Sequence, residues 1–203
     1  MESYMFKNLL YLSVFIISAN LSSMQLNEFS AGRPIAQPDS NEEKLLGCTR
    51  SRYGIFKNRD AFYYHVAKKL IKNNDVDVNT CFSDGSTPLH RAKNYKLVEL
   101  LLKTGANPNL INSRYQTPLH FSDFHKAKLL LAYGADVNAK DIHGRSTLLT
   151  HLSNRDKATV KLLIKAGADL EAKDNQGMTA LQIAKNNWSH QIVKMLKNAG
   201  AQG

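Results

Sequence analysis

The chain has 203 residues, 43% of them hydrophobic, which is enough apolar material for one or two small folded domains. Its 27 lysines and arginines outnumber 17 aspartates and glutamates, for a formal net charge of +10. This charge favours an acidic partner: an acidic protein surface, an anionic membrane or a nucleic acid. The spacing around the two cysteines, Cys48 and Cys81, argues against a zinc site, and they would pair only in an oxidising compartment.

Residues 1–19 have the pattern of an export signal, with Lys7 near the start, an apolar stretch and the small residue Ala19 at a cleavage position. The apolar stretch is too short to span a bilayer as a helix. We therefore expect a signal peptide at 1–19 and a secreted or periplasmic protein. The alternative is a cytoplasmic protein that uses this segment as a buried or partner-covered N-terminal helix.

Residues 20–40 are rich in Ser, Asn, Pro and Gly, so a poorly ordered linker is expected there. From Asp60 onward, apolar residues such as Val66 and Leu70 recur at helical spacing and predict one amphipathic helix. This helix leads into residues 75–79, a degraded copy of a phrase found later in the chain. We interpret 41–79 as a partial, capping repeat at the N-terminal side of a repeat array.

That phrase is clearest at 134–141 (GADVNAKD) and returns at 167–174 as GADLEAKD, with a looser copy at 105–109. A second phrase stands near the start of each repeat. The residues after it have a helical pattern that ends in an apolar run and a glycine. This second phrase stands at 87–90 (TPLH), 117–120 (TPLH), 146–149 (STLL) and 179–182 (TALQ). Repetition at a period of roughly 30 residues predicts stacked units that share one continuous core.

The two phrases resemble the ankyrin repeat family, whose 33-residue unit carries T-P-L-H-x-A near its start and G-A-D-V-N-A near its end. The resemblance covers residues 60–203 and implies an all-α solenoid of helix-turn-helix units joined by short β-hairpin or finger loops. It implies an ankyrin repeat domain at 80–203, with repeats at about 83–112, 113–141, 142–174 and 175–203. It also implies a non-catalytic protein–protein interaction module, and the N-terminal pattern adds the expectation of a secreted or periplasmic adaptor or effector.

Departures from the family pattern predict local differences. From the Thr or Ser of the second phrase to the glycine there are 21 residues in repeats three and four, but 18 and 17 in repeats one and two. We therefore expect shorter helices in the first two repeats. Repeat three has Thr147 and Leu149 in place of the usual Pro and His, which removes the Thr-to-His hydrogen bond, so we expect the weakest repeat there.

No enzyme motif occurs in the chain, neither a nucleophile elbow nor a glycine-rich phosphate loop. His90 and His120 stand at the position of the family's structural histidine, which favours a packing role over catalysis. His151 lies where the family prefers Ala and indicates locally altered packing. We expect no enzymatic activity, no catalytic residues, no cofactor and no metal.

Partners in this family usually lie along the fingertips and the face of the first helices, so variable fingertip residues are the candidate contacts. Tyr, Arg, Phe and Met commonly anchor interfaces, and Arg114 with Tyr115 is the strongest pair. The candidates are Phe82, Ser86, Arg114, Tyr115, Gln116, Ile142, His143, Arg145, Asn175, Gln176 and Met178. The alternative is that these residues vary because nothing constrains them.

For the partner, we expect a protein with an acidic surface, bound by a monomeric chain, and no small-molecule substrate. A second hypothesis is a basic surface that docks on anionic membrane or nucleic acid. The salt dependence of binding distinguishes the two hypotheses, because binding through scattered lysines and arginines weakens steeply between low and moderate salt.

Overall fold

The computed structural model describes residues 40–41, 44–46, 59–72, 76–187 and 190–202. The predicted signal peptide at 1–19, nearly all of the predicted linker at 20–40, and Cys48 lie outside these residues. Within them every named element is a helix, and an isolated bridge joins Lys140 and Ser146. The all-α prediction is confirmed. None of the helices in these ranges is long and apolar enough to cross a membrane.

From residue 88 onward, the helices alternate between a first and a second helix of each repeat. In chain order they are α1 (Arg59–Lys72), α2 (Pro88–Arg91), α3 (Tyr95–Lys103), a 3-10 helix (Pro118–Phe121), α4 (Phe124–Ala132), α5 (Thr147–Ser153), α6 (Lys157–Lys165), α7 (Ala180–Asn187) and α8 (His190–Asn198). Pro88 and Pro118 are the first residues of their helices, as predicted, because a missing N–H costs nothing there.

The helices form two rows, and the core lies between them. The first helices α2, the 3-10 helix, α5 and α7 pack side by side, and the second helices α3, α4, α6 and α8 form the other row. Helix α1 packs against α3 in this second row. The leucine of each repeat's second phrase is at most 2% exposed, as expected for an inward position; these are Leu89, Leu119, Leu148 and Leu181.

The predicted shortening of repeats one and two is confirmed, and it falls on the first helix alone. First helices have 4 residues in these repeats and 7 and 8 residues in repeats three and four. Every second helix has 9 residues. The second helices supply buried residues such as Leu101 and Leu130, so a deletion there would open a cavity in the core.

The recurring GAD phrase ends the second helix and starts a turn, as predicted. Gly134 and Gly167 have φ of 80° and 85°, in the left-handed region that favours glycine. Asp136 then accepts a hydrogen bond from Asn138 N at 2.8 Å, and Asp169 accepts one from Glu171 N at 2.9 Å. These bonds hold the chain as it enters each finger.

In repeat three, other hydrogen bonds replace the missing Thr-to-His bond. Ser146 Oγ accepts from Leu149 N at 3.4 Å at the start of α5. Thr147 Oγ1 donates to Val137 O at 2.5 Å, which ties α5 to the finger that precedes it. The weakness of this repeat relative to its neighbours stays a prediction.

Candidate functional site

Four turns of one design carry the fingertips, here defined as residues 82–86, 112–116, 141–145 and 174–178. In the second fingertip, Asn112 O accepts from Tyr115 N at 2.9 Å. Asn112 Oδ1 also accepts from Arg114 N and Gln116 N, at 2.9 and 3.0 Å. Asp141 and Asp174 make the equivalent pairs of bonds in the third and fourth fingertips. The second, third and fourth turns are thus closed by their own first side chains, whereas in the first turn Asp84 Oδ1 accepts from Ser86 N at 3.0 Å.

Backbone hydrogen bonds join neighbouring fingertips. Ser113 N donates to Asp84 O at 2.9 Å, Ile142 N to Arg114 O at 2.9 Å, and Asn175 N to His143 O at 3.0 Å. These bonds place the four fingertips side by side. Side chains from different repeats can therefore contact one partner together.

A second row of bonds, which sequence reasoning missed, runs along the base of the fingers. Asn79, Asn109 and Asn138 each accept through Oδ1 from a backbone N of the following repeat, at 2.8 Å in all three cases. The last Asn of the phrase DVN is the signal that could have revealed it. The copy at Asn79 makes the same bond to Asn107, so the degraded phrase works as a finger of the array.

Six of the eleven predicted contact residues are exposed: Arg114, Tyr115, Ile142, His143, Asn175 and Gln176. Tyr115 is 52% exposed and Ile142 is 50% exposed. The bond from Ile142 N to Arg114 O joins the segments that carry them, so both lie on adjoining fingertips. The structure thus brings a basic, an aromatic and an aliphatic side chain together at the middle of the fingertip row.

Two predicted contacts, Phe82 and Ser86, are buried, so the structure does not present these side chains to a partner as the prediction requires. Phe82 is 5% exposed, and the Arg91 guanidinium lies 4.1 Å from the centre of its ring. Ser86 is also 5% exposed, and its N donates to Asp84 Oδ1 at 3.0 Å. Arg91 in turn pairs with Asp84 at 2.6 Å and closes over Phe82.

Three further candidates, Gln116, Arg145 and Met178, are only half-buried. Met178 packs against the core. Arg145 donates from Nε and Nη2 to Asp141 Oδ2 at 3.1 and 2.8 Å. Burial alone would raise the pKa of Asp141, but the bonds from Arg145 and from the His143 backbone hold that pKa below its ordinary value. Arg145 is therefore largely engaged within its own fingertip.

Tyr115 occupies a turn position that glycine fills in the other three fingertips. Its φ is 58°, whereas the equivalent Gly85, Gly144 and Gly177 have φ of 75°, 71° and 77°. An L-residue in this left-handed region costs about 1–2 kcal/mol relative to the right-handed form. The aromatic ring is thus retained at a strained and exposed position.

A shallow pocket of about 420 Å³ adjoins the third and fourth fingertips. Its walls come from these two turns and from helices α5 and α7. The lining residues are His143, Arg145, Ser153, Asp174, Asn175, Gln176, Met178, Ile183 and Asn186.

His90 and His120 have the predicted structural role. Thr87 N donates to His90 Nδ1 at 3.0 Å, so that nitrogen is unprotonated and Nε2 can donate to Gln116 O at 2.9 Å. His120 repeats this arrangement with Thr117 N at 3.1 Å and Arg145 O at 3.4 Å. Each ring therefore ties the start of a first helix to the next fingertip.

Two buried polar residues complete the shortened first helices. Lys126 Nζ donates to His90 O, at the end of α2, at 2.9 Å, and His151 Nε2 donates to Leu119 O in the 3-10 helix at 3.0 Å. Carbonyl groups at a helix end lack hydrogen-bond donors within the helix. Here the donors come from side chains of the following repeat. Altered packing at His151 was predicted; Lys126 was missed. Its signal is that aligned repeats place the uncharged residues Leu97, Thr159 and Ile192 at the same position.

Among the described residues, no group of three or more His, Cys, Asp or Glu could hold a metal ion. Stacked two-helix units with linked fingertips define a helical repeat scaffold that presents a surface. A family model described as ankyrin repeats in three copies matches residues 59–141 and again residues 122–202. The chain belongs to the ankyrin repeat family. Ankyrin repeats generally mediate protein–protein interaction.

Relatives with the same repeats come from distant sources. A protein of Rickettsia bellii named for ankyrin repeats is 30% identical over 121 residues, covering 51% of this chain and 34% of that protein. A Fowlpox virus ankyrin repeat protein is 39% identical over 103 residues, covering 45% and 29%. A protein of Dictyostelium discoideum named as a probable serine/threonine-protein kinase is 36% identical over 117 residues, covering 52% and 14%. The matched region thus spans about a third or less of each of these relatives.

Proposed function

We propose that the chain is a non-catalytic module that binds a protein through a surface centred on Arg114, Tyr115 and Ile142. The observation that carries this is the left-handed backbone of the exposed Tyr115, at a position where the other fingertips have glycine. Strain kept at an exposed residue supports a role for its side chain outside the chain itself. Tyr and Arg are also the residue types that dominate binding energy at interfaces.

The proposed partner has an acidic surface, and the chain binds it as a monomer. The fingertip aspartates already accept bonds within their own turns, as Asp141 and Asp174 do. Arg114, by contrast, is exposed and forms no ion pair with any described residue. Its guanidinium is therefore available to a carboxylate of the partner.

The proposed setting is an exported adaptor or effector, in the periplasm or outside the cell. The pattern of residues 1–19 supports this. Intact mass or N-terminal sequencing of the protein from its native host tests it. A start near Asn20 is the expected result, and a start at Met1 would favour the cytoplasmic alternative instead.

The surface itself is tested by replacing Tyr115 with Gly. Because glycine tolerates the left-handed turn, Tyr115→Gly should raise the free energy of unfolding by up to about 1 kcal/mol while partner binding falls tenfold or more. Urea unfolding measures the first effect. Quantitative pull-down from a native-host extract measures the second.

Arg155→Gly is the matched control. Arg155 also has a left-handed φ, of 60°, but lies in the loop between α5 and α6. This variant should become more stable and keep its partners. If Tyr115→Gly recovers the same proteins in the same amounts as wild type, the fingertip surface is not the binding site.

A further inference from the structure

We propose that the row of second helices docks on an anionic lipid bilayer, separately from protein binding at the fingertips. The contact is an outer lysine face, defined here as Lys128, Lys157, Lys161, Lys165, Lys194 and Lys197. The sequence analysis raised a basic docking surface as its second hypothesis, and this face is where we place that surface. All six lysines are exposed, on the side of the second row that faces away from the core.

Three of these lysines occupy the same position in consecutive repeats. Lys128, Lys161 and Lys194 each lie six residues before the glycine that ends their second helix, at Gly134, Gly167 and Gly200. Helices α4, α6 and α8 are neighbours in the second row. Equivalent positions on neighbouring helices project to the same side, and packed helix axes are about 8–10 Å apart.

The other three lysines extend this line into a face. Lys157 and Lys165 lie four residues before and after Lys161 in α6, and Lys197 lies three residues after Lys194 in α8. Residues three or four apart share one side of a helix. Lys157 Nζ also contacts Gln191 Oε1 of α8, so the outer sides of these two helices adjoin.

The charge of this face is not neutralised by the protein. Helices α4, α6 and α8 contain no Asp or Glu, and none of the six lysines forms an ion pair with a described residue. The caps Asp123 and Asp156 bond backbone N–H groups at the start of α4 and α6. In α3 the equivalent position is Glu99, which pairs with Lys103 at 2.6 Å. At this position repeat one thus carries a neutralised ion pair, whereas each of the next three repeats carries a lysine unpaired with any described residue.

The choice of lysine favours a bilayer over nucleic acid. Every arginine between residues 76 and 202 lies outside this face, at Arg91, Arg114, Arg145 and Arg155. Arginine is the residue preferred for fork-like recognition of nucleic-acid phosphates and base edges, whereas lysine acts as a point charge. A broad array of four to eight such charges suits the diffuse negative potential of an anionic leaflet.

The test is co-sedimentation of the full chain at low and moderate salt, with vesicles of phosphatidylcholine and phosphatidylserine mixed at roughly 7:3 and with vesicles of phosphatidylcholine alone. Wild type should bind only the anionic vesicles and release as salt rises. The triple variant Lys128→Gln/Lys161→Gln/Lys194→Gln should lower the partition coefficient on the order of a hundredfold. Circular dichroism checks that it is folded, and the corresponding lysine-to-arginine triple should retain binding.

The matched control is Lys140→Gln/Lys173→Gln/Lys185→Gln, which removes the same charge from exposed residues of the fingers and of α7. Its partition should change by no more than about threefold, because screening limits charge effects at a distance. Equal losses in both triples, or no preference of wild type for anionic vesicles, would overturn the proposal. Stronger binding to a short duplex DNA at equal phosphate concentration, lost in the first triple, would assign the face to nucleic acid instead.

Discussion

Lys126 is the residue at which this chain departs furthest from an apolar repeat core. It is 4% exposed, and its ammonium donates to His90 O. Loss of solvation lowers its pKa from 10.5 to about 7, with a partial offset from Asp123. The Lys126 amine is therefore only about half protonated near pH 7.

This pKa makes stability depend on pH in a predictable direction. Between pH 7 and 10.5 the unfolded chain binds more protons at Lys126 than the folded one, so stability rises with pH across this window and falls towards pH 7. Relative to Lys126→Met, wild type should gain on the order of 2 kcal/mol between pH 7.5 and 9.0. Urea unfolding at both pH values measures this gain.

Lys128→Met is the control, since Lys128 is exposed in the same helix. It should differ from wild type by the same amount at both pH values. A difference between wild type and Lys126→Met that is likewise constant would contradict the prediction.

At this scale, aligned repeats show which residue is unusual but not what it does. A lysine at a repeat position otherwise occupied by Leu97, Thr159 and Ile192 is visible in the sequence. Its acceptor, His90 O, belongs to the preceding repeat and is available only because α2 stops after four residues. The burial of the candidate contacts Phe82 and Ser86 could likewise not be predicted, because it depends on neighbours, here Arg91 and Asp84, that the repeat pattern does not specify.

At the scale of single elements, adjoining fingertips limit which glycines can be replaced. A Cβ on Gly144 would come within 3.1 Å of Asn175 N and closer still to the Asn175 side chain, whereas one on Gly177 would meet nothing within 4 Å. Both glycines have left-handed φ, so their backbone strain is alike. The contact with the next fingertip is what differs between them.

Gly144→Ala should therefore cost more stability than Gly177→Ala. We expect about 1 kcal/mol for Gly177→Ala from backbone strain, and at least about 1 kcal/mol more for Gly144→Ala. The extra cost arises because Asn175 must shift and weaken its bonds to His143 O and Ile142 O, at 3.0 and 3.2 Å. Urea unfolding of the two variants tests this. Equal losses would mean that the fingertips are not in firm contact.

Element lengths show the limit of counting residues. The spacing from Thr to Gly predicted shortening in repeats one and two, but the same count follows whichever helix is shortened. The structure places the loss in the first helices and changes one of them to a 3-10 helix, Pro118–Phe121. The second helices keep their length because their buried faces pack against neighbouring repeats. A count of residues between two motifs contains no information about this packing.

At the scale of the whole molecule, the contact between repeats two and three is closed by two histidines in opposite directions. His120 donates forward to Arg145 O, and His151 donates back to Leu119 O. Burial lowers the pKa of both rings below 6.5, partly opposed by their carbonyl bonds and by Asp141 or Asp156. Both rings therefore stay neutral near pH 7.

Acid should loosen this contact before the one between repeats three and four. As pH falls through 6.5, these two histidines take up protons in the unfolded state before they do so in the folded state. The free energy of unfolding therefore falls from pH 6.5 down to the lowered pKa values of the folded protein. Between pH 7 and 5, amide protection in the 3-10 helix and α5, corrected for intrinsic exchange rates, should fall about tenfold more than in α7 and α8. Hydrogen-exchange mass spectrometry measures this. A uniform fall along the solenoid would contradict it.

The architecture could be predicted from the sequence because one unit recurs, and stacked copies have few ways to share a core. The array's surfaces were harder to predict. Arg114, Tyr115 and Ile142 were named from their place in the phrase, but the strain at Tyr115 needed backbone angles. The outer lysine face needed the order of the second helices in space, since its members are scattered from residue 128 to residue 197.

The uneven first helices also shape the molecule on the side away from the fingertips. Helix α2 and the 3-10 helix end three or four residues sooner than α5 and α7. At about 1.5 Å per helical residue, the row drops by a ledge of about 5 Å beside repeats one and two. A straight rod laid against the far end of the row would touch repeats three and four and stand off from the others. A protein that docked on this end of the row would need extra bulk beside repeats one and two to fill the ledge.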